Sequence, residues 1–378
     1  MNRVDAFFFV ARCLVPEDHP GPLRDKLAGE IAAGRICWER VVEIASEYWV
    51  TLALYRELGE KRLLDLLPGD LLEYFNCIHE WNSARNREIL EHASEIASLL
   101  NRTGVEPLLL KGVSHLASGL YPDAAVRFMG DIDILVPSDR ALECWRLLVS
   151  SGYQTSAAWA DARVECMPHE HWPELVRKGR TGVLEMHRLT EWNDMLSSPS
   201  LYVDAQPVAL GGGEARILSP TSRMIFTIAH SYLHRRERLE AAPLRDLYDA
   251  TLLLRQQRSE IAWHQVIDAF DQGGQMEALR TACMMWRRLL SQSPPCAIDR
   301  PPWAWIYWQH CLLKIMKPRW GPVCDALARN ARLLRIAFSG TTEGKRIRKK
   351  FFTPSVLLRK LRTAAQLVAG GKQEGRWR

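Results

Sequence analysis

Residues 108–136 read LLLKGVSHLASGLYPDAAVRFMGDIDILV, and the order of textures in this stretch decides the fold. Pro107 to Leu110 ends in a short continuous apolar run, the pattern of a strand buried on both faces. Lys111-Gly112 interrupts it, and Val113 to Leu120 then has helical spacing. Asp131 to Val136 alternates polar and apolar before becoming wholly apolar, which predicts a strand leaving the core at one end. Side chains two apart on a strand project to the same side, so Asp131 and Asp133 share a face. Two carboxylates that close repel each other unless a cation sits between them or one is protonated. Mg²⁺ takes a few carboxylates, with waters and phosphate oxygens completing its shell, so the pair suits metal-assisted phosphoryl chemistry. Taken alone, such a pair is more often a solvated strand end.

The turn before it supplies context. A strand, Lys111-Gly112 and a helix start bring backbone N–H groups and a point charge to where an anion docks. Gly112 either lets the backbone approach phosphates closely or simply makes the turn. Arg127, just before the carboxylate strand, either reaches a phosphate or pairs with Asp131.

Working outward, residues 1–104 read as a helical region. Leu23 to Ile36, Val41 to Leu58 and Glu88 to Leu100 have apolar residues three and four apart, and Gly104 closes the region. Residues 105–218 mix strands and helices in a compact core. Ser138 caps a helix from Arg140 to Val149, and strands are expected at Val183 to Leu189, Val203 to Leu210 and Ala215 to Leu218. Helical spacing returns in residues 219–292, at Thr221 to His234, Leu244 to Arg255, Trp263 to Phe270 and Met276 to Leu290. Four prolines between Ser293 and Pro302 mark a boundary. Beyond it, in residues 303–378, Trp303, Trp305, Trp308 and Trp320 are expected to pack a small helical element. The fold class is α+β, a mixed sheet flanked by helical regions at both ends.

Composition excludes several classes. Hydrophobic content of 47% and charged content of 25% are those of an ordinary globular chain. Nine scattered cysteines without a CxxC pair fit idle thiols in a reducing compartment. No apolar stretch approaches the roughly 20 residues of a membrane span, and charges bracket Phe7 to Val10 too closely for a signal peptide. The protein is therefore read as cytoplasmic. Residues 344–378 carry +10 and the rest −4 of the formal net charge of +6. Val356 to Val368 adds an amphipathic face to that basic tail. The pattern suits an anionic surface, a membrane lipid, a nucleic acid or an acidic partner, as well as a solvated end.

The quoted window resembles the nucleotidyltransferase superfamily that includes DNA polymerase β. Within it, the window is similar to an uncharacterised bacterial group typified by LLKG…YP…R.MGDIDILV. Here those residues are Leu109 to Gly112, Tyr121-Pro122, Arg127 and Met129 to Val136. The superfamily has a third acidic residue on a later strand, and Leu184-Glu185-Met186-His187 fits it, so the resemblance makes Glu185 the third metal ligand. Similarity extends over about residues 105–257. Many members have Gly-Ser where this chain has Lys111-Gly112. Their serine helps hold the triphosphate, and here either Lys111 or Ser114 takes that role.

The leading expectation is metal-dependent transfer of a nucleoside monophosphate from an NTP to an acceptor hydroxyl or phosphate, with Mg²⁺ or Mn²⁺ as cofactor. Asp131 and Asp133 would hold both ions, Glu185 the nucleophile-side ion, and Lys111 and Gly112 the phosphates. A nucleotide sugar is an alternative donor for glycosyl transfer, and a non-catalytic nucleotide-binding scaffold is a third reading. The acceptor is open among small molecule, peptide, glycan and RNA. His187, His230, Asp246 and Asp249 are candidates for the acceptor side. For His230 and His234, which share a helical face, a structural role is the commoner alternative, and for Asp246 and Asp249 a cap or salt bridge is as well supported. His169, His171 and His187 with Glu170 and Glu185 make only a partial zinc pattern.

Overall fold

The computed structural model describes residues 1–16, 21–155, 172–187, 195–196, 198–234, 242–294 and 302–318. Among the described residues, seven strands form one mixed sheet: β1 (Leu108–Leu109), β2 (Asp131–Leu135), β3 (Gln154–Thr155), β4 (Leu175–Val176), β5 (Val183–His187), β6 (Gln206–Leu210) and β7 (Gly213–Ile217). Their order is β3-β4-β5-β2-β1-β7-β6. The apolar run at Leu108 lies centrally, antiparallel to β2 and parallel to β7. The alternating strand β2 runs parallel to β5, with Asp133 opposite Glu185 and Leu135 opposite His187.

The expected sheet is present, with one shift. Val203 ends a short helix, α8 (Ser198–Val203), so the strand expected from Val203 starts only at Gln206. The fold is α+β. Its helices are α1 (Arg3–Cys13), α2 (Pro22–Ala32), α3 (Trp38–Glu47), α4 (Thr51–Glu60), α5 (Gly69–Asn101), α6 (Lys111–Ala117), α7 (Ala141–Ser150), α8, α9 (Pro220–Ala229), α10 (Leu244–Gln256), α11 (Trp263–Gln272), α12 (Met276–Leu290) and α13 (Pro302–Met316).

The helix expected over Val41 to Leu58 is two helices. Trp49 takes φ 58° between α3 and α4, and the Val50 N–H returns to the Ala45 carbonyl. The apolar repeat continues across that left-handed corner, so periodicity alone does not show the break. At the other end of the chain, α9 runs into a π-helical turn, His230–His234. The α-helical spacing expected for those two histidines therefore does not hold in the backbone. Of the expected tryptophan cluster, Trp308 is buried against Phe8 while Trp305 stays 59% exposed. Trp320 lies outside the described residues, as do His169, Glu170, His171 and the basic tail. Arg3 Nε donates to the Ile315 carbonyl at 2.9 Å, so α1 and α13 close on each other.

Helix α5, 33 residues long and so about 50 Å, ties the segment before the central strand β2 and the β6–β7 edge of the sheet. Midway along it, Asn82 donates to the carbonyls of Ala125 and Arg127, and Asn86 to those of Ala124 and Arg127. Near its end, Asn101 Nδ2 donates to the Glu214 carbonyl at 3.0 Å. There the β6–β7 hairpin meets the helix backbone to backbone: a Cβ on Gly213 would lie 2.7 Å from both the Ser94 carbonyl oxygen and the Ser98 nitrogen. Neither backbone atom can move without breaking the helix. Gly213→Ala should therefore cost about 1–3 kcal/mol, read as a lower urea midpoint at unchanged m-value. An unshifted midpoint would show that the hairpin yields instead.

Candidate active site

The sheet register brings the chemistry together. Asp133 and Glu185 face one another from adjacent parallel strands, and His187 follows Glu185 by two residues on the same face. Ligand atoms of Asp133, Glu185 and His187 all lie within 4.8 Å of one another. Asp131 lies one strand repeat before Asp133, half-buried, and stands outside that tight group.

Lys111 closes the cluster. Its Nζ is 2.6 Å from Asp133 Oδ1 and 3.7 Å from Glu185 Oε2. His187 Nε2, 3.0 Å from the same Asp133 oxygen, donates to it in the Nε2–H tautomer. Lys111 makes this contact from the first residue of α6 with φ 47°, in the left-handed region that non-glycine residues seldom occupy. The predicted turn is thus the opening of a two-turn helix, held by an ion pair.

Burial sets the electrostatics of the cluster and charge pairing corrects it. Burial opposes ionisation of Asp133, but Lys111 and His187 override it and hold the carboxyl well below the usual range. Burial likewise disfavours the Lys111 ammonium, and Asp133 and Glu185 overcome it, so its pKa lies above the ordinary lysine value. Glu185 is left with the deficit: burial and the neighbouring Asp133 charge push it up to about 8.

A site of this composition fits a divalent cation, because two facing carboxylates and an imidazole that orients one of them already attract a positive group. Glu185 must lose its proton to coordinate metal, and below about pH 8 it holds that proton. Metal affinity should therefore fall as pH falls, by about tenfold or more between pH 8.5 and 6.5. Calorimetric titration with Mn²⁺ checks this, and Glu185→Gln should bind weakly with a flat profile. A wild-type affinity that is level across that range would remove Glu185 from the ligand set.

Other expected site residues lie elsewhere. Arg127 neither pairs with Asp131 nor faces an open phosphate site. It is 6% exposed, and its Nε and Nη2 reach Asp249 at 2.9–3.2 Å. Asp249 also accepts from the Tyr121 hydroxyl, and His115 Nε2 stands 3.7 Å away. Burial resists ionisation of Asp249, yet Arg127 and His115 lower its pKa. Burial, with the nearby Arg127 and Arg223 charges, brings His115 down to about 4.

Asp249 is therefore a buried counter-ion, not a base open to an acceptor. Asp246 accepts from Ser231 Oγ at 2.9 Å and stands 3.6 Å from His230 Nδ1. It too is buried, while His230 is partly exposed. Ser114 is 1% exposed, its hydroxyl inside the packing. Of the two candidates for the triphosphate, only Lys111 reaches the carboxylate face.

Gly112 serves packing. A Cβ there would come within 2.6 Å of Arg127 Nη1 and 2.7 Å of Met129 Sδ. On its Cβ side, Gly112 is packed against the segment leading into β2. Sequence reasoning missed the residues that hold that segment, Asn82, Arg85 and Asn86. Arg85 donates to the Met129 carbonyl at 3.0 Å and lies over the Phe128 ring. Asparagines inside a helical repeat were the available signal.

Comparison with known proteins gives one family. A family model described as an uncharacterised nucleotidyltransferase matches residues 35–291. A solved structure, an antigenic nucleotidyltransferase-like protein from Paracoccidioides brasiliensis, is 15% identical, with 57% of this chain and 98% of that chain covered and a TM-score of 0.35. No curated protein matches the chain. The family match begins some 70 residues before the span that the motif resemblance covers, so it takes in α3, α4 and the asparagines of α5 as well as the carboxylate cluster. No helix among the described residues is long and apolar enough to cross a membrane. Since that match runs over about two thirds of the sequence and contains β2, β5 and the Lys111 turn, the chain belongs to the family of uncharacterised nucleotidyltransferases.

Proposed function

We propose that the protein transfers a nucleoside monophosphate from an NTP to an acceptor hydroxyl or phosphate, at a divalent-metal site formed by Asp131, Asp133 and Glu185. The observation that carries the reading is the pairing of Asp133 with Glu185 across β2 and β5, with Lys111 3.7 Å or less from both. Mg²⁺ or Mn²⁺ held by these carboxylates would supply the charge that polarises the α-phosphate and stabilises departing pyrophosphate.

The chain's own residues do the positioning. His187 holds Asp133 in orientation through Nε2. Asp131, at the mouth of β2, extends the carboxylate face towards solvent. Lys111 is the one described cation within salt-bridge distance of Asp133 apart from His187, and its flexible stem can follow a phosphate.

The test is pyrophosphate release from each NTP in the presence of Mg²⁺, followed by mass spectrometry of the acceptor from a cell extract. A nucleotide mass on the acceptor supports the proposal. A hexose mass with a nucleotide sugar as donor, or nucleotide binding without turnover of any NTP, overturns it.

A further inference from the structure

We infer that Lys111 is a displaceable counter-ion, which must leave Asp133 and Glu185 before metal can bridge them and which is then recaptured by the nucleotide's phosphates. The inference rests on the metal-site reading above and adds a coupling between two ligands. It starts from a conflict of position. The ammonium is 2.6 Å from Asp133 Oδ1 and 3.7 Å from Glu185 Oε2, the two carboxylates that face each other in register. An ion at a Mg²⁺–oxygen distance of about 2.1 Å from that same Asp133 oxygen would lie within about 4.7 Å of the ammonium. Two cations that close, inside a largely buried site, repel strongly.

That repulsion favours the movement of one of them, and a lysine on a four-carbon stem is the one that can move. Its backbone adds to the case. Lys111 holds φ 47°, so the ion pair and an unfavourable turn are maintained together. Among the described side chains, Asp133, Glu185 and Asp131 are the carboxylates that act on it. Once metal occupies them, the remaining strong anion at the site is the substrate's phosphate chain.

The consequence is thermodynamic. Metal alone has to break the lysine's ion pair, whereas metal with nucleotide gives the ammonium a new partner, so each ligand should tighten the other by the same factor. No substitution is needed for the first test. The full-length protein is treated briefly with acetic anhydride, and acetylation of Lys111 is read by peptide mass spectrometry. The conditions are no ligand, Mn²⁺ alone, and Mn²⁺ with an equimolar mixture of the four α,β-methylene ribonucleoside triphosphates. Mn²⁺ occupancy is measured in parallel by electron paramagnetic resonance.

The expected result is slow labelling without ligand, labelling at least about fivefold faster with Mn²⁺, and protection restored by the nucleotide analogues. The second test is Lys111→Met, which should bind Mn²⁺ alone at least about tenfold more tightly than wild type. Mn²⁺ that binds wild type while Lys111 stays protected overturns the displacement and leaves the metal-site reading standing. Mn²⁺ that binds neither wild type nor Lys111→Met overturns both. Binding to the variant alone supports the displacement in its strongest form.

Discussion

Asp133→Asn should reduce pyrophosphate release by about three orders of magnitude or more, while the protein unfolds at nearly the wild-type urea concentration. Metal-ion Lewis acidity contributes several kcal/mol of transition-state stabilisation, and each 1.36 kcal/mol is a factor of ten in rate. The exchange removes the charge that competes for metal without removing the shape. An asparagine oxygen still accepts from Lys111 and from His187, which stand 2.6 and 3.0 Å from the carboxylate. Lys111 then has one carboxylate fewer against it, and the loss of negative charge weakens metal binding further.

Asp131→Ala separates chemistry from packing in the same assay. Asp131 is half-buried and outside the tight group of ligand atoms, so its loss leaves the Lys111 ion pair intact. Release should fall there too, with no change in stability. Undiminished turnover in both variants, in folded protein, would sink the proposed mechanism.

How much of this was legible in the sequence depends on how far apart the interacting residues lie. Period two on a strand places Asp131 and Asp133 on one face; that Glu185 and His187 share a face emerges only with the observed strand β5. Pairing between those strands is non-local, so the register that sets Asp133 against Glu185 came by way of family resemblance and not from periodicity. His187 reads in the sequence as an acceptor-side candidate, and its spacing from Glu185 does not say which carboxylate it meets. The Lys111 turn was visible as a break between strand and helix. That Lys111 would lie on the carboxylates was not, because a turn residue's direction depends on a φ that only the folded chain reveals. Among the expected site residues, the contact of Arg127 with Asp249, 122 positions apart, was hidden in the same way. An arginine beside an acidic strand in the sequence invites a local pairing, and the actual partner sits on a helix in the C-terminal half.

That long-range pair makes the last prediction. Arg127→Ala should destabilise the protein by about 3–5 kcal/mol, the usual cost of leaving one charge of a buried pair uncompensated. Against a total stability of about 5–15 kcal/mol, that is enough to leave much of the chain unfolded at growth temperature. Asp249 is 2% exposed and Arg127 6%. With the guanidinium gone, the carboxylate keeps only the Tyr121 hydroxyl and a His115 ring that burial holds neutral at pH 7. The same loss removes the side-chain tie of the segment before β2 to Asp249, while the Asn82 and Asn86 bonds to its carbonyls remain.

Urea denaturation of Arg127→Ala, Asp249→Ala and the double variant closes a cycle. The double variant should be less destabilised than the sum of the singles, since removing both charges leaves none unpaired. If Arg127→Ala keeps the wild-type midpoint but loses affinity for the triphosphate analogues, the guanidinium works on phosphate and its place in the core has been misjudged. A lowered midpoint with strong coupling to Asp249 would instead make Arg127 the residue that joins the catalytic sheet to the C-terminal helices.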